Sequence, residues 1–189
     1  MSYLKVIVFI SGIIFLCSGV NAQVTGVSGG LSFSSGIEYN TGNTGNPGLF
    51  VKTLLKLDKR LYIVPSVTIF KKYEKGDFNK TLKTNMFQGD IDVVYGIYKD
   101  RYVKVLGFGG ANVTAINSKW DIHYNEGLPL VNKSDLKPGL NLGGALQLYV
   151  NNGFDAYISG KYIVSSFNQV LIQIGTIYHF GAKNKKGSW

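Results

Sequence analysis

Only two histidines, His123 and His179, are available for general acid–base chemistry, and this limits the catalysis expected of the chain. His123 lies beside Asp121 and near Ser118, so one short segment holds a serine, a histidine and a carboxylate. Hydrolases with a serine nucleophile need these three residue types. The spacing does not mark a catalytic triad, and His179 lies in an alternating, strand-like pattern. We therefore predict no catalytic residues and no enzymatic activity.

Asp90 and Asp92 are the other candidate chemical pair, since residues two apart in a strand share one face. Two carboxylates could hold a metal ion, but interior lysines favour ion pairs instead. The glycines of residues 107–110 lie within a strand pattern and do not form a phosphate-binding loop. The only cysteine, Cys17, falls in a segment that we predict to be removed, which excludes thiolate chemistry and disulfides. We predict no metal site and no cofactor.

The elements that carry these residues alternate with a period of two. The clearest case is the stretch 136–150, LKPGLNLGGALQLYV. Its even positions hold Leu, Pro, Gly and Val, and its odd positions hold Lys, Gly, Asn, Ala, Gln and Tyr. This pattern predicts a strand with one apolar and one polar face. Such a strand suits the wall of a barrel, either in a membrane or around a ligand in solution.

Similar runs recur along the chain and predict eight strands. They cover residues 27–39, 49–57, 61–71, 87–98, 102–115, 136–150, 154–164 and 170–180. Tight turns at 58–60, 99–101 and 151–153 alternate with longer connections at 40–47, 72–82 and 116–134, and a modest link follows at 165–168. Pro65 cannot donate to a strand ladder, so we expect a bulge or distortion there. The fold class is predicted as all-β, an eight-stranded antiparallel up-and-down transmembrane β-barrel with short turns at one end.

A secreted, lipocalin-like ligand-binding barrel is the alternative, and it would point the apolar faces inward. Three features favour lipid outside. The apolar faces carry no charged residue, the polar faces are rich in small residues that fit a narrow lumen, and aromatic residues gather near strand ends as membrane girdles do. The expected girdle residues are Tyr39, Phe50, Phe87, Tyr102, Phe154, Tyr178 and Phe180.

With lipid outside, the charged residues on the polar faces point into the lumen. Both signs are present, so we predict an interior ion-pair network, because unpaired charge would be costly there. Its expected members are Glu38, Lys52, Lys56, Asp90, Asp92, Lys104, Asp155 and Lys161. Eight strands generally enclose no continuous channel, so we expect a plugged lumen.

Export and charge define the expected partners. Residues 1–22 have the apolar core and small-residue junction of a signal peptide, residues 23–180 form the barrel, and residues 181–189 form a periplasmic C-terminal tail. The net charge of +9 would suggest nucleic acid in a cytosolic protein, but after export we expect outer-membrane lipid or lipopolysaccharide and no nucleic acid. The expected lipopolysaccharide contacts are Lys71, Lys72, Lys75, Lys80 and Lys83.

The signal peptide, the eight alternating strands and the closing strand Ile174-Gly-Thr-Ile-Tyr-His-Phe180 resemble small outer-membrane barrels of the OmpA/OmpX type. The Ala22-Gln23 junction and the His-Phe-Gly ending resemble members from Bacteroidota, which are Gram-negative. The resemblance implies a structural or surface protein of the cell outer membrane, or an accessory subunit of a larger secretion or barrel-assembly complex. Because some barrels of this size modify lipid A, a lipid A-modifying enzyme is a further alternative.

Overall fold

The computed structural model describes residues 23–35, 46–77, 80–122, 132–151, 153–166 and 168–180. The predicted signal peptide, Glu38, Tyr39, His123 and the predicted tail lie outside these residues. The described residues form nine strands: β1 (Gln23–Ser35), β2 (Asn46–Lys56), β3 (Leu61–Phe70), β4 (Tyr73–Asp77), β5 (Lys80–Lys99), β6 (Val103–Ile122), β7 (Asn132–Asn151), β8 (Phe154–Ser165) and β9 (Gln169–His179). Within the described part of the chain, no helix is long and apolar enough to cross a membrane.

The strands close into one antiparallel barrel. Strands that follow each other in the chain are paired, except that β3 and β4 both pair with β5, and β1 pairs with β9, so the first and last strands meet. β3 and β4 lie one after the other along the same edge of β5, interrupted only at residues 71–72. They therefore act as one broken strand, and the barrel has eight positions around its circumference. The predicted fold class is confirmed.

The strands extend further at one end of the barrel than at the other. One end, here called the turn end, holds the turns at 57–60 and 100–102, the β7–β8 turn at Gly153, and the ends of β1 and β9. Gly153 has a φ of 135°, as the Asn-Asn-Gly sequence predicts. The opposite end is here called the loop end. There β5, β6 and β7 extend beyond the other strands, because they have 20 residues each, whereas β1, β2, β3, β8 and β9 have 10 to 13.

These long strands correct two predicted loops. The charged stretch 72–82 was expected to be a loop, but most of it pairs as β4 and the start of β5. The connection expected over 116–134 is shorter, because β6 continues to Ile122 and β7 begins at Asn132. β5 pairs with β6 as far as Lys80 opposite Ile122, and β6 pairs with β7 as far as Lys119 opposite Asn132. This unbroken pairing satisfies the backbone hydrogen-bonding groups of these polar segments. The extra length forms a sheet that rises beyond the barrel wall.

The facing of the strands agrees with a barrel in lipid. Leu140 and Leu142 on β7 are 66% and 72% exposed, whereas Asn141 between them is buried. The same phase holds on β9, where Ile172 and Ile174 are exposed and Gln173 is fully buried. An apolar wall around a polar interior is the opposite of a lipocalin-like barrel. That alternative is therefore wrong.

Pro65 changes the sheet less than expected. The β2–β3 ladder pairs Lys52 with Ser66 and Leu55 with Ile63, and lacks pairs for the two positions between them. The register is the same on both sides of this gap, so no bulge forms. The missing proline N–H accounts for the interruption. Pro65 still pairs with Ile91 on the other side, where β5 holds β3 in place.

Candidate functional site

The lumen contains an apolar cluster toward the turn end that the sequence did not predict. It is formed by Val64, Val94, Leu106, Phe108 and Ala145, with Tyr62 and Tyr157 packed against it. These side chains come from four strands and are at most 8% exposed. They lie on the faces assigned to small and polar residues. The cluster fills part of the lumen near the turn end with packed hydrocarbon.

A second apolar cluster lies toward the loop end. Its members are Phe70, Met86, Ile116, Ile163 and Leu171, all buried. Between the two clusters lie buried polar side chains, including Gln88, Thr68 and Gln173. The charged side chains that lie between the two clusters are therefore flanked above and below by apolar side chains. This arrangement leaves little room for a continuous water-filled path.

The most deeply buried charges form a cluster around Asp90. Its carboxylate accepts hydrogen bonds from the Ser66 hydroxyl at 3.1 Å, the Gln88 amide at 2.9 Å and the Asn141 amide at 3.0 Å. The Lys161 Nζ lies 2.9 Å from the same carboxylate. Three hydrogen-bond donors and one cation compensate for the loss of water around this charge.

Asp92 belongs to the same cluster but has fewer partners. The Asn141 amide donates to it at 2.9 Å, and the Lys161 Nζ lies 3.9 Å away. Lys161 is on β8 and both aspartates are on β5, strands that are not neighbours in the sheet. The cluster therefore ties opposite walls of the barrel together through the lumen. Since Lys161 and Asn141 occupy these carboxylates, nothing here favours a metal ion.

Two further interior lysines contact aromatic residues instead of carboxylates. The Lys52 Nζ donates to the Tyr157 hydroxyl at 3.0 Å and lies 5.0 Å from the centre of the Phe50 ring. The Lys104 Nζ donates to the Tyr62 hydroxyl at 3.1 Å and lies 4.2 Å from that ring's centre. Hydroxyl acceptors and ring faces thus replace the expected ion pairs.

Phe50 was expected in the outer aromatic girdle, and this is wrong. It is 1% exposed and faces the lumen, because it shares a face with Lys52. Its ring packs 6.4 Å from that of Tyr157. Of the other expected girdle residues, Tyr102, Phe154, Tyr178 and Phe180 are exposed and lie at the turn end, while Phe87 is half-buried on the outer wall.

The remaining interior candidates lie apart from the Asp90 cluster. The Asp155 carboxylate is buried, lies 2.6 Å from the His179 Nε2 and accepts a hydrogen bond from the Gln147 amide. Lys56 is half-buried and makes no ion pair within the described ranges. His179 therefore has a carboxylate and an amide as partners. Among the side chains that the structure describes, no three His, Cys, Asp or Glu residues come together to hold a metal ion.

The predicted lipopolysaccharide contacts lie at the loop end. Lys71 and Lys72 are exposed where β3 breaks off, and the Lys72 Nζ pairs with Glu74 at 2.8 Å. Lys75 is in β4 and Lys80 begins β5, but their side chains are outside the described set. Lys83 is in β5, directly opposite Lys119 of β6.

Lys119 is a candidate that the sequence reasoning missed. It was assigned to a long loop, where its position relative to the other lysines was undefined. The structure continues β6 through it, and the cross-strand pairing places it beside Lys83 on the outer surface. The alternation of Ala115, Asn117 and Lys119 on one face was the only available signal.

Comparison with known proteins identifies the fold. No protein-family model matches the chain, and no curated protein matches it in sequence. Among solved structures, the chain is similar to Ail, the attachment invasion locus protein of Yersinia pestis, with a TM-score of 0.61 and 17% identity over 82% of this chain and 97% of Ail. It is also similar to Neisserial surface protein A (TM-score 0.58, 13% identity, 85% and 99% coverage).

A third similar structure is the N-terminal β-barrel domain of OprF from Pseudomonas aeruginosa, with a TM-score of 0.55 and 12% identity over 85% of this chain and 100% of that domain. These likenesses support the OmpA/OmpX-type architecture predicted from the strand pattern. The chain has the fold of small outer-membrane barrels, and its uncharged outer wall is a lipid-facing surface. The Bacteroidota origin and the signal peptide stay predictions.

Proposed function

We propose that this chain is a non-enzymatic, free-standing outer-membrane surface protein with a sealed lumen, which binds lipopolysaccharide phosphates through lysines on its loop end. The observation that carries the proposal is the direct cross-strand pairing of Lys83 with Lys119 on the outer surface of the extended sheet. The sealed lumen supports a surface role, since it offers no channel.

The height of these lysines suits the phosphate layer around the barrel. Lys83 lies four residues beyond Phe87 on the same face of β5, and Lys119 lies four beyond Ala115 on β6. At a rise of about 3.4 Å per residue, four residues span roughly 13 Å along the strand. With a strand tilt of about 40°, this is roughly 10 Å along the barrel axis. If Phe87 marks the edge of the hydrocarbon, both lysines reach the head groups.

The charge pattern also favours an anionic ligand. Like charges directly opposite each other on a sheet destabilise it, and an anion between them reverses the sign of that effect. Glu74 of β4 is the cross-strand partner of Lys83 on the side away from Lys119. Its carboxylate offsets only part of the positive charge of the two lysines. Each cation near an anionic leaflet contributes roughly 1 kcal/mol, so two contribute about 2 kcal/mol.

The test is lipopolysaccharide affinity of the purified barrel carrying K83Q and K119Q. Two lost contacts of about 1 kcal/mol each correspond to roughly a thirtyfold weaker affinity. A matched control, K183Q with K185Q, removes the same charge from the C-terminal residues and should change affinity less than twofold. Unchanged affinity in the K83Q/K119Q variant would refute the proposal.

Ail has been crystallised with sucrose octasulfate, a heparin analogue, which supplies a second probe. The sulfated sugar carries negative charge without lipid A. We expect lipopolysaccharide to bind this chain more tightly than sucrose octasulfate, because the outward lysines are placed for membrane phosphates. Equal affinity for both probes would indicate a general polyanion site and contradict the proposed ligand.

The free-standing role is proposed over an accessory-subunit role because the outer wall is apolar on every strand. The described outward positions between the two ends carry no charged side chain, which suits lipid on all sides. Purification from native membranes in mild detergent should yield the barrel alone. A stoichiometric large partner would instead support a subunit of a secretion or barrel-assembly complex.

A further inference from the structure

Two neighbouring turns at the turn end have the same composition. Residues 58–60 read Asp-Lys-Arg and residues 99–101 read Lys-Asp-Arg, so four cations accompany two carboxylates. All six residues are exposed. The third turn, at residues 151–153, reads Asn-Asn-Gly and carries no charge. Positive charge in these turns is therefore concentrated on one side of the barrel.

The backbone holds the two charged turns together. The Gly96 N–H donates to the Arg60 carbonyl at 2.8 Å, which joins the β2–β3 turn to β5 just before the β5–β6 turn. The second turn is closed by the Asp100 N–H donating to the Val103 carbonyl at 2.8 Å. The four cations therefore form one continuous stretch of the rim, here called the basic rim (Lys59, Arg60, Lys99 and Arg101).

A β-bulge places apolar side chains directly beside this basic rim. The β5–β6 register shifts between Gly96 and Tyr98, so that Ile97 and Tyr98 are both exposed, at 61% and 55%. Tyr102 is also exposed, and the Arg101 guanidinium lies 5.5 Å from the centre of its ring. Exposed tyrosines next to an apolar wall mark the boundary between hydrocarbon and head groups. The basic rim therefore lies at the level of lipid phosphates.

We propose that the basic rim is a binding site for the head groups of anionic phospholipids in the periplasmic leaflet. Short turns and strand termini occupy the periplasmic end of outer-membrane barrels, which assigns the leaflet. Arg60 and Arg101 supply planar donors for phosphate oxygens, and Lys59 and Lys99 supply further positive charge. Ile97, Tyr98 and Tyr102 contact the upper part of the acyl chains.

This site differs from the proposed lipopolysaccharide contact in both place and ligand. The two carboxylates of the turns, Asp58 and Asp100, reduce its positive charge and disfavour small free anions. A phospholipid adds acyl-chain contacts with the bulge residues that a free phosphate ion cannot make. The site should therefore prefer an anionic lipid to inorganic phosphate.

The experiment measures lipid retained by the detergent-purified barrel, using native mass spectrometry after exposure to phosphatidylglycerol or phosphatidylcholine. We expect at least a fivefold preference for phosphatidylglycerol in the unaltered chain. The variant R60Q/K99Q/R101Q should lose most of this preference. The matched control K71Q/K72Q/K119Q removes three charges from the loop end and should keep it.

Several results would overturn the proposal. These are equal uptake of both lipids by the unaltered chain, a preserved preference in R60Q/K99Q/R101Q, or loss of preference in the loop-end control. Loss in K183Q/K185Q/K186Q instead would assign the effect to the C-terminal residues. If inorganic phosphate alone removes the bound phosphatidylglycerol, the site recognises a free anion and not a lipid. Failure here leaves the lipopolysaccharide proposal intact, because the two test variants, K83Q/K119Q and R60Q/K99Q/R101Q, share no residue.

Discussion

Replacing Lys161 with methionine should strongly destabilise the barrel, because it leaves two buried carboxylates without their cation. Methionine approximates the length of the lysine side chain, so the main change is the loss of charge. The Lys161 Nζ lies 2.9 Å from Asp90 and 3.9 Å from Asp92, and all three side chains are at most 4% exposed. Removing one partner of a buried ion pair typically costs about 3 to 5 kcal/mol.

The two aspartates should contribute unequally. Direct attraction falls with distance, and at an effective dielectric constant of about 20 a pair 4 Å apart interacts by roughly 4 kcal/mol before desolvation is subtracted. Asp90 is nearer to Lys161 and also accepts three other hydrogen bonds. The coupling energy between Lys161 and Asp90 should therefore exceed that between Lys161 and Asp92.

The assay is reversible urea unfolding in lipid vesicles, applied to K161M, D90N, D92N and the two double variants. We expect K161M to lower the free energy of unfolding by about 3 to 5 kcal/mol. The K161M/D90N variant should recover a substantial part of this loss, because it removes one charge of each sign. A K161M barrel within about 0.5 kcal/mol of the unaltered chain would refute the buried-cluster account, since changes of that size are typical of exposed positions.

Three other outcomes follow from the same structure. In planar bilayers the barrel should show no large, steady conductance, because apolar clusters flank its charged interior, and a stable open channel would contradict the sealed lumen. Gly143→Ala should destabilise the barrel, since the added Cβ would lie 2.7 Å from the Phe108 Cζ and 2.8 Å from the Lys161 Cβ. The Cβ added by Gly160→Ala meets nothing within 4 Å, so this variant should be nearly neutral in urea unfolding. Equal effects of these two alanines would argue against the packing described. Leu142→Arg, in the middle of the lipid-facing wall, should lower the free energy of unfolding by roughly 2 to 4 kcal/mol, and Val150→Arg, near the rim, by about 0 to 1 kcal/mol. Equal effects would indicate a different position in the bilayer.

The strand faces could be predicted from the sequence because a period of two is a local property. In β7 the leucines at even positions alternate with small and polar residues, and the structure exposes the leucines and buries Asn141, Ala145 and Gln147. Closure also followed from the alternation of short and long connections. Neither inference required knowledge of which distant residues touch.

The long extension of β5–β7 could not be predicted in this way. The stretch 72–82 is rich in charged and polar residues and lacks an apolar alternation, so it was interpreted as a loop. Above the bilayer a strand needs no apolar face, and its backbone pairs with both neighbours, as Leu82 does with Lys75 and Trp120. Here backbone pairing outweighed composition.

The partners inside the lumen were also beyond the reach of the sequence. Lys161 and Asp90 belong to strands on opposite walls, so only the closed barrel brings them together. The sequence did place both on inward faces, but it could not distinguish them from Lys52 and Lys104, which contact tyrosines. It also assumed a uniformly polar interior, which concealed Phe50 and Phe108.

The most direct test of the account is the facing of β7 in a lipid bilayer. The sequence has one cysteine, Cys17, so in a chain that begins at Gln23 single cysteines can be introduced one at a time at positions 140–142 and 144–147 and spin-labelled. Collision rates with dissolved oxygen report exposure to lipid. High rates are expected at 140, 142, 144 and 146 and low rates at 141, 145 and 147. The opposite phase, or no alternation, would contradict a barrel whose apolar wall faces lipid.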